Sequence, residues 1–388
     1  MFTLQKLHEY IVARRAELKE LALDLWAHPE LAFQEKYSAE RLAQFLEAHD
    51  FAVTRAYLDV PTAFETDFTA GDGPAFGIAA EYDALPAVGH GCGHNLIATA
   101  AVAATLAVRE AMRQDGVKGA VRLLGTPAEE DGGGKVVLLE RGALKGLDAV
   151  MMVHPTWRTV QDTGTSALRK YNVTFIGREA HAAGNLDTAV NALDAVMLMY
   201  AGINAFRQQL PSFCRIHGIV DDGGKVPNVI PGRASCCFYL RSTSEEWMEK
   251  LDARFRAIAG GAAMMTGAKL EIVQSSKPYR SRKPNGPMNE QYLADMAELG
   301  AAPVRSTIVN MGSSDFGNFS QELPGIHGYF GIAEGKIPGH SVEMAEAAKS
   351  DLGVDSALRA AAAMAHIALK FMTDEKFRTE VKTDFDRK

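Results

Sequence analysis

Leu4, Leu7, Ile11, Leu18, Leu21 and Leu25 recur at helical spacing, so the chain is predicted to open with an amphipathic helix. The stretch "HPELAFQEK" interrupts it, and a second helix follows that buries Leu42, Phe45 and Leu46. Beyond residue 70 continuous apolar runs take over. "FGIAAEYD", "AVRLLGTP" and "LDAVMMVHP" read as buried strands, with a helix between the second and third. "NLIATAAVAATLAVREAM" reads as a helix with Asn95 as its N-cap. Wholly apolar strands alternating with helices predict a mostly parallel α/β sheet.

The pattern changes near residue 168. "RKYNVTFIG" alternates like a half-exposed strand, and a helix follows over residues 188–208. Next come the strands "FCRIHGIV" and "ASCCFYLRS", a helix beginning near Ser244, and the strand "KLEIVQS". This β-α-β-β-α-β order is that of a ferredoxin-like domain. "SSKPYRSRKPNGP" is polar and rich in turn residues, as a linker is. After it "VRSTIVN" and "GIHGYFGI" resume the α/β pattern, ahead of an alanine-rich helical tail. The expected organisation is a catalytic domain in two segments, 1–167 and 281–388, with a second domain inserted at 168–280.

Composition adds limits. A chain of 388 residues is too long for one ordinary core, in keeping with two domains. A net charge of −7 gives no electrostatic reason to expect nucleic acid. No apolar run is expected to reach membrane-spanning length, and the start "MFTLQKLHEY" lacks the basic-then-apolar layout of a signal peptide. Cys92, Cys214, Cys236 and Cys237 are too few for a disulfide framework, so reduced thiols and a cytoplasmic location are expected.

The candidate chemistry lies just after predicted strands. Asp83 follows "FGIAAEY", with Cys92 and His94 in "HGCGHN" a few residues on; Glu129 and Glu130 follow "AVRLLGTPA"; His154 ends "LDAVMMV"; His340 follows "GIHGYFGIAEGKIPG". In a parallel sheet the C-terminal strand ends face one crevice, where ligands bind. Thiolate, imidazole and carboxylate suit zinc, and manganese or cobalt accept the same set. Five donors, Cys92, His94, Glu130, His154 and His340, exceed one tetrahedral ion but suit two ions sharing a ligand. Glu129 and Glu130 point in different directions as neighbours, so one can bind metal while the other faces water as a base. Asp83 then fixes the tautomer of a ligand histidine.

The same motifs carry a resemblance. "EYDALPAVGHGCGHN", "TPAEE", "GREAHAA", "PNVIPG", "GSSDFGN" and "PGHS" occur in the order seen in the aminoacylase and carboxypeptidase G superfamily of dinuclear metallopeptidases. The chain resembles its cysteine-containing amidohydrolases, such as aminobenzoyl-glutamate hydrolases, indole-acetyl-amino-acid hydrolases and related dipeptidases. The resemblance implies a zinc-peptidase-like α/β domain with an inserted ferredoxin-like lid that dimerises. It implies that Cys92 bridges two divalent ions, with Glu130 and His340 completing one and His94 and His154 the other. Glu129 resembles the general base, and Asp83 the residue orienting a ligand. His181 of "GREAHAA" resembles the lid histidine that stabilises the oxyanion, and Asn228 and Arg241 fall where relatives contact substrate. Ser313, Ser314 and Asp315 fall in a turn near the substrate, with roles left open. Relatives carry a proline and a glycine between the lid histidine and "NAL", where this chain has "HAAGNLDTAVNAL".

These observations predict a metal-dependent hydrolase of small N-acyl or aminoacyl amino acids, dipeptides included, acting through a metal-bridging hydroxide. A nearby alternative is hydrolysis of another carbon–nitrogen bond, such as an aryl amine. Two rivals differ in kind: a cysteine-nucleophile hydrolase with Cys92 activated by His90 or His94, and a non-catalytic metal-binding protein. The first predicts indifference to chelators; the second leaves one of the two glutamates without a task.

Overall fold

The computed structural model describes residues 3–184 and 186–387. The chain forms two compact units. The first runs to Gly164, resumes over Arg282–Ile308 and resumes again from Asp315; the second comprises Thr165–Ser281 and Val309–Ser314.

The first unit opens with α1 (Leu4–Val12), α2 (Arg15–Ala27) and α3 (Lys36–Ala48). The single opening helix expected from periodicity is therefore two. Leu4, Leu7, Ile11, Leu18, Leu21 and Leu25 are all buried. Seven residues separate Ile11 from Leu18, the span of two turns, so the apolar rhythm continues across the break at Arg14 and conceals it. Next come β1 (Thr54–Arg55), β2 (Phe64–Thr69), β3 (Ala75–Ala80), α4 (His94–Asp115), β4 (Ala120–Gly125), α5 (Gly134–Glu140) and β5 (Ala149–Thr156).

The second unit contains β6 (Ala167–Ile176), β7 (Ala180–His181), α6 (Ala192–Arg207), β8 (Cys214–Asp222), β9 (Val229–Ile230), β10 (Arg233–Ser242), α7 (Glu245–Thr266) and β11 (Lys269–Gln274). Its four-stranded sheet has the order β11-β6-β10-β8, antiparallel throughout, and β7 pairs separately with β9. With α6 and α7 between the strands, this is the ferredoxin-like arrangement. Ser244 caps α7, its side chain accepting from Trp247 N, and Asn191 caps α6.

The chain then returns with α8 (Gly286–Glu298), α9 (Phe316–Ser320), β12 (Gly325–Gly331), α10 (Val342–Ala347), α11 (Asp351–Thr373) and α12 (Glu375–Arg387). The first unit's sheet has the order β1-β2-β4-β3-β5-β12. β4, β3, β5 and β12 are mutually parallel, while β2 and β1 extend one edge antiparallel.

Three expectations need correction. The stretch "VRSTIVN", residues 304–310, is no strand: it makes only isolated bridges at Val304 and Asn310, and Ile308 is 77% exposed. Its β-branched residues favour a strand only where a pleated surface receives them. Asn95 is not the cap of α4. Gly93 takes that position at φ +70°, and the Asn95 amide instead donates to Ala22 O (3.1 Å) and Ala348 O (3.0 Å), tying the helix to its neighbours. Finally, α4 and α11, at 22 and 23 residues with mean hydropathy 1.2, are long and apolar enough to cross a membrane. Their apolar windows are 94% and 78% buried inside the fold, where the two helices pack against each other in the core.

Candidate metal centre

The parallel strands end along one edge of the sheet, and each delivers side chains there. β3 continues into Glu81 and Asp83, β4 leads to Glu129 and Glu130, β5 carries His154, and the loop after β12 carries His340. Between β3 and α4 the turn of "HGCGHN" rests on Gly93. At φ +70° a side chain there is disfavoured, and a Cβ would lie 2.6 Å from Pro155 Cγ. That turn sets Cys92 and His94. His340 N donates to Gly91 O at 3.0 Å, which joins the two loops.

One ligand atom from each of Cys92, His94 and His154 lies within 4.8 Å of the others, and the same holds for Cys92, Glu130 and His340. Cys92 belongs to both triads. His94 also lies this close to Glu129 and Glu130. Asp83 organises the set: its Oδ1 sits 3.1 Å from His94 Nδ1, and its Oδ2 accepts from Glu130 N at 2.9 Å. With Nδ1 engaged, His94 Nε2 is the atom left for the cluster. His154 Nδ1 lies 2.7 Å from Pro155 O, which leaves its Nε2 likewise.

His94 Nε2 and Glu130 Oε1 are buried and hydrogen-bond to no described residue. Buried polar atoms are ordinarily satisfied. A ring nitrogen that offers a lone pair once the ring is neutral, and a carboxylate oxygen, both near a thiol, fit a cation, so the residues present suit a metal centre.

The electrostatics agree. Burial disfavours charge on Asp83, yet the His94 ring overrides it and holds the carboxyl low. Burial likewise opposes the His94 charge, and Asp83 overrides it, raising the ring well above the usual range. Ligation needs the neutral ring, so loading an ion here releases a proton. Burial, with His94 next, lowers His154 to about 3, which keeps it neutral. Burial, with Glu81 and Glu130 behind it, pushes the Glu129 carboxyl up. Burial also pushes the Cys92 thiol up. A cysteine nucleophile needs the opposite shift, and His90 Nε2 is engaged with Leu25 O at 3.0 Å.

Several participants escaped the sequence reading. Glu81, two residues before Asp83, is fully buried. Its donor atom gathers with those of Glu129 and Asp315, and the Lys135 ammonium binds there, 2.5 Å from Glu81 Oε1 and 2.8 Å from Asp315 Oδ1. Asp315 and Glu81 hold Lys135 charged against the cost of its burial. His327 on β12 is buried beside His154, with ring centroids 5.2 Å apart. An acid two positions before Asp83 was a legible signal for Glu81. Lys135, the first polar residue of a helix after three glycines, offered none.

The structure thus gathers Asp83, Cys92, His94, Glu129, Glu130, His154 and His340 in the first unit. The other three predicted site residues lie in the second. His181 is exposed at the end of β7, and its Nδ1 accepts from Ala183 N at 3.1 Å. Asn228 O accepts from Ala182 N at 2.9 Å, so His181 and Asn228 are neighbours where β7 pairs with β9. Arg241, on β10, donates to Ser313 Oγ at 2.8 Å. Within the departing stretch "HAAGNLDTAVNAL", Asn185 lies outside the described residues, and Leu186–Thr188 form a 3₁₀ turn.

An open α/β sheet whose strand ends collect thiol, imidazole and carboxylate donors about a shared cysteine defines a metallohydrolase. The chain matches Peptidase family M20/M25/M40 over residues 77–370 and belongs to that family. It is 35% identical over 391 residues to the Xaa-Arg dipeptidase of Homo sapiens, covering 96% of this chain and 89% of that one. It is 34% identical over 309 residues to one chain of the p-aminobenzoyl-glutamate hydrolase of Escherichia coli, covering 75% and 64%. Its fold resembles that of a Bacillus subtilis protein described as a dinuclear metal binding peptidase of the M20 family, with a TM-score of 0.73, 21% identity, and coverage of 93% and 99%. The chain is a peptidase- and amidohydrolase-type enzyme.

Proposed function

We propose that this chain hydrolyses the amide bond of small aminoacyl and N-acyl amino acids, with dipeptides ending in a basic residue the first to assay. The observation that carries the reading is the place of Cys92 in two donor triads at once. Cys92, Glu130 and His340 would hold one divalent ion, and Cys92, His94 and His154 the other; zinc, manganese and cobalt all suit these donors. When bound, such a pair lowers the pKa of a shared water and polarises the amide carbonyl. Glu129 takes the proton from that water and gives it to the departing nitrogen. Asp83 keeps His94 in the ligating tautomer. His181 donates to the developing oxyanion, and Asn228 and Arg241 meet the substrate. The dipeptidase similarity supports the substrate class. The test is a panel of dipeptides and N-acyl amino acids assayed with each metal; no turnover of any member would sink the reading.

We also propose a homodimer through the second unit. Ile219 and Val220 are 64% and 43% exposed on the edge strand β8, and Met264 and Met265 at the end of α7 are 86% and 66% exposed. Light scattering that returns the monomer mass would refute it. Four cysteines without a disulfide support a reducing, cytoplasmic location, which fractionation of cells expressing the tagged chain would check.

A further inference from the structure

The segment "HPELAFQEK" enters the sequence as an interruption between helices. In the fold it braces two of the loops that carry the metal centre. Glu30 O accepts from Ala84 N at 2.8 Å, one residue past Asp83. The Glu30 carboxylate accepts from Tyr37 N (3.0 Å), Ser38 N (2.9 Å) and Ser38 Oγ (3.0 Å), which pins the segment to the first turn of α3. Pro29 packs near Gly89, at the start of the turn that leads into Cys92.

At the other end of the segment Glu35 is fully buried. Its Oε1 accepts from Phe33 N at 3.0 Å and from Ala128 N at 2.8 Å. Phe33 (φ +59°) and Ala128 (φ +62°) both occupy the left-handed region, which residues with a Cβ avoid. One buried oxygen therefore holds two strained residues. Ala128 directly precedes Glu129. Its carbonyl accepts from Gly133 N (2.9 Å) and Gly134 N (3.3 Å), closing the turn that contains Glu129 and Glu130. The Phe33 ring packs on the same turn, where a Cβ at Gly132 would lie 2.5 Å from Phe33 Cε2.

We infer that Glu35 is a positioning residue for Glu129 and Glu130: by accepting from Ala128 N it holds the left-handed turn that aims both carboxylates. The inference rests on the reading of Glu129 as base and Glu130 as ligand. Glu35 itself belongs to neither donor triad. Burial, and Asp83 after it, push its carboxyl up to about 7. Its Oε1 accepts in either protonation state, so the acceptor matters and the charge does not.

The test compares Glu35→Met, which fills the space without an acceptor, with Glu35→Gln, which keeps one, in the metal-loaded full chain. Three quantities are measured: dipeptide turnover, metal content, and hydrogen exchange of the amides at 128–134. Glu35→Met should lower kcat by roughly 30-fold, because a small misplacement of reacting groups is costly, while KM stays within about threefold and metal content holds. The Ala128 amide should exchange about tenfold faster or more, since its acceptor is gone. Glu35→Gln should stay within about threefold of wild type in turnover and exchange, as it offers the same acceptor. Adding Ala128→Gly to Glu35→Met should recover roughly threefold or more of kcat, because glycine adopts positive φ without a steric penalty. A merely structural loss would show no such recovery.

Unchanged exchange in Glu35→Met would overturn the brace itself. Faster exchange with unchanged turnover would instead overturn the reading of the two glutamates, and the positioning role with it. If Glu35→Met does not fold, Glu35→Gln decides: wild-type exchange and turnover support the acceptor role, and a tenfold loss in either refutes it.

Discussion

Asp83, Glu81 and His94 lie fully buried in the first unit, with Asp83 bonded to His94 and Glu81 to Lys135. In the second unit His181 and Asn228 are exposed beside the β7–β9 pair, where Ala182 N donates to Asn228 O and Ala183 N donates to His181 Nδ1. The difference suits the task proposed for each region. Ion binding and proton transfer need fixed geometry in a low dielectric, where charges interact strongly and water cannot reorganise around them. That environment is costly, since an unpaired buried charge destabilises a fold by about 3–5 kcal/mol. Groups that meet a substrate must admit and release it, so they sit on exposed backbone. On the proposed reading the first unit holds the ions and the base, and the second offers side chains to the substrate.

Metal removal is the largest blow to this division. Chelation should abolish turnover, and added zinc, manganese or cobalt should restore it. Full activity in a demonstrably metal-free sample would leave both donor triads without a task. Next in size is Glu129→Gln, expected to lower turnover by roughly 100-fold or more while metal content holds, because it removes the base and spares the ligand. Glu130→Gln should lose metal as well. The reverse pattern would exchange the roles of the pair.

The second unit offers a finer test. His181→Ala should keep its metals and lose roughly 100-fold in turnover, the usual cost of removing one oxyanion donor. Its stability should stay within about 0.5 kcal/mol of wild type, as for other exposed positions. Asp83→Ala, on the buried side, should destabilise by about 3 kcal/mol. If the second unit pairs two chains, His181 can serve the partner's centre. Glu129→Ala and His181→Ala chains mixed as heterodimers should then recover up to about half of the activity, since one of the two sites is whole. Heterodimers that form and stay inactive would place His181 in its own chain's site or outside the chemistry.

The last effect leaves the reaction aside and is a pH dependence of stability. The folded-state pKa of Glu35, about 7, lies above its ordinary 4.5. The native state therefore binds this proton more tightly than the unfolded state, and its stabilising contribution fades as pH rises from 4.5 to 7. Glu35→Gln removes that titration. Its stability relative to wild type should improve by about 3 kcal/mol across the window, read from denaturant midpoints at a series of pH values. Parallel curves for the two proteins would show that Glu35 is not held in its acid form.

Much of this centre was legible because parallel strands announce themselves as apolar runs and the residues just beyond them must share an edge. Asp83, Cys92, His94, Glu129, Glu130, His154 and His340 were all found by that rule. Lys135 was not, because a lysine early in a helix ordinarily faces water; only the fold shows it between Glu81 and Asp315. His327 was hidden inside "GIHGYFG", where strand alternation says which face a residue takes but not what packs there. Glu35 was hidden for another reason: its importance lies in a hydrogen bond to a residue 93 positions away. "VRSTIVN" misled in the opposite direction, since β-branched composition without a receiving surface stays irregular.

The division of the first unit into separate stretches of chain sets a timetable for its assembly. α4 ends at Asp115, and the helix that covers it, α11, begins only at Asp351. At the usual pace of synthesis, that interval lasts on the order of tens of seconds. Throughout it the nascent chain carries a 22-residue helix apolar enough to pass for a membrane span, and residues 165–281 of the second unit are made within that interval, before α11. A cell making this protein must keep that helix from the bilayer and from its neighbours on the polysome until the last strand and the last long helix emerge. Chains cut short before α11 are the ones its chaperones and proteases should meet most often.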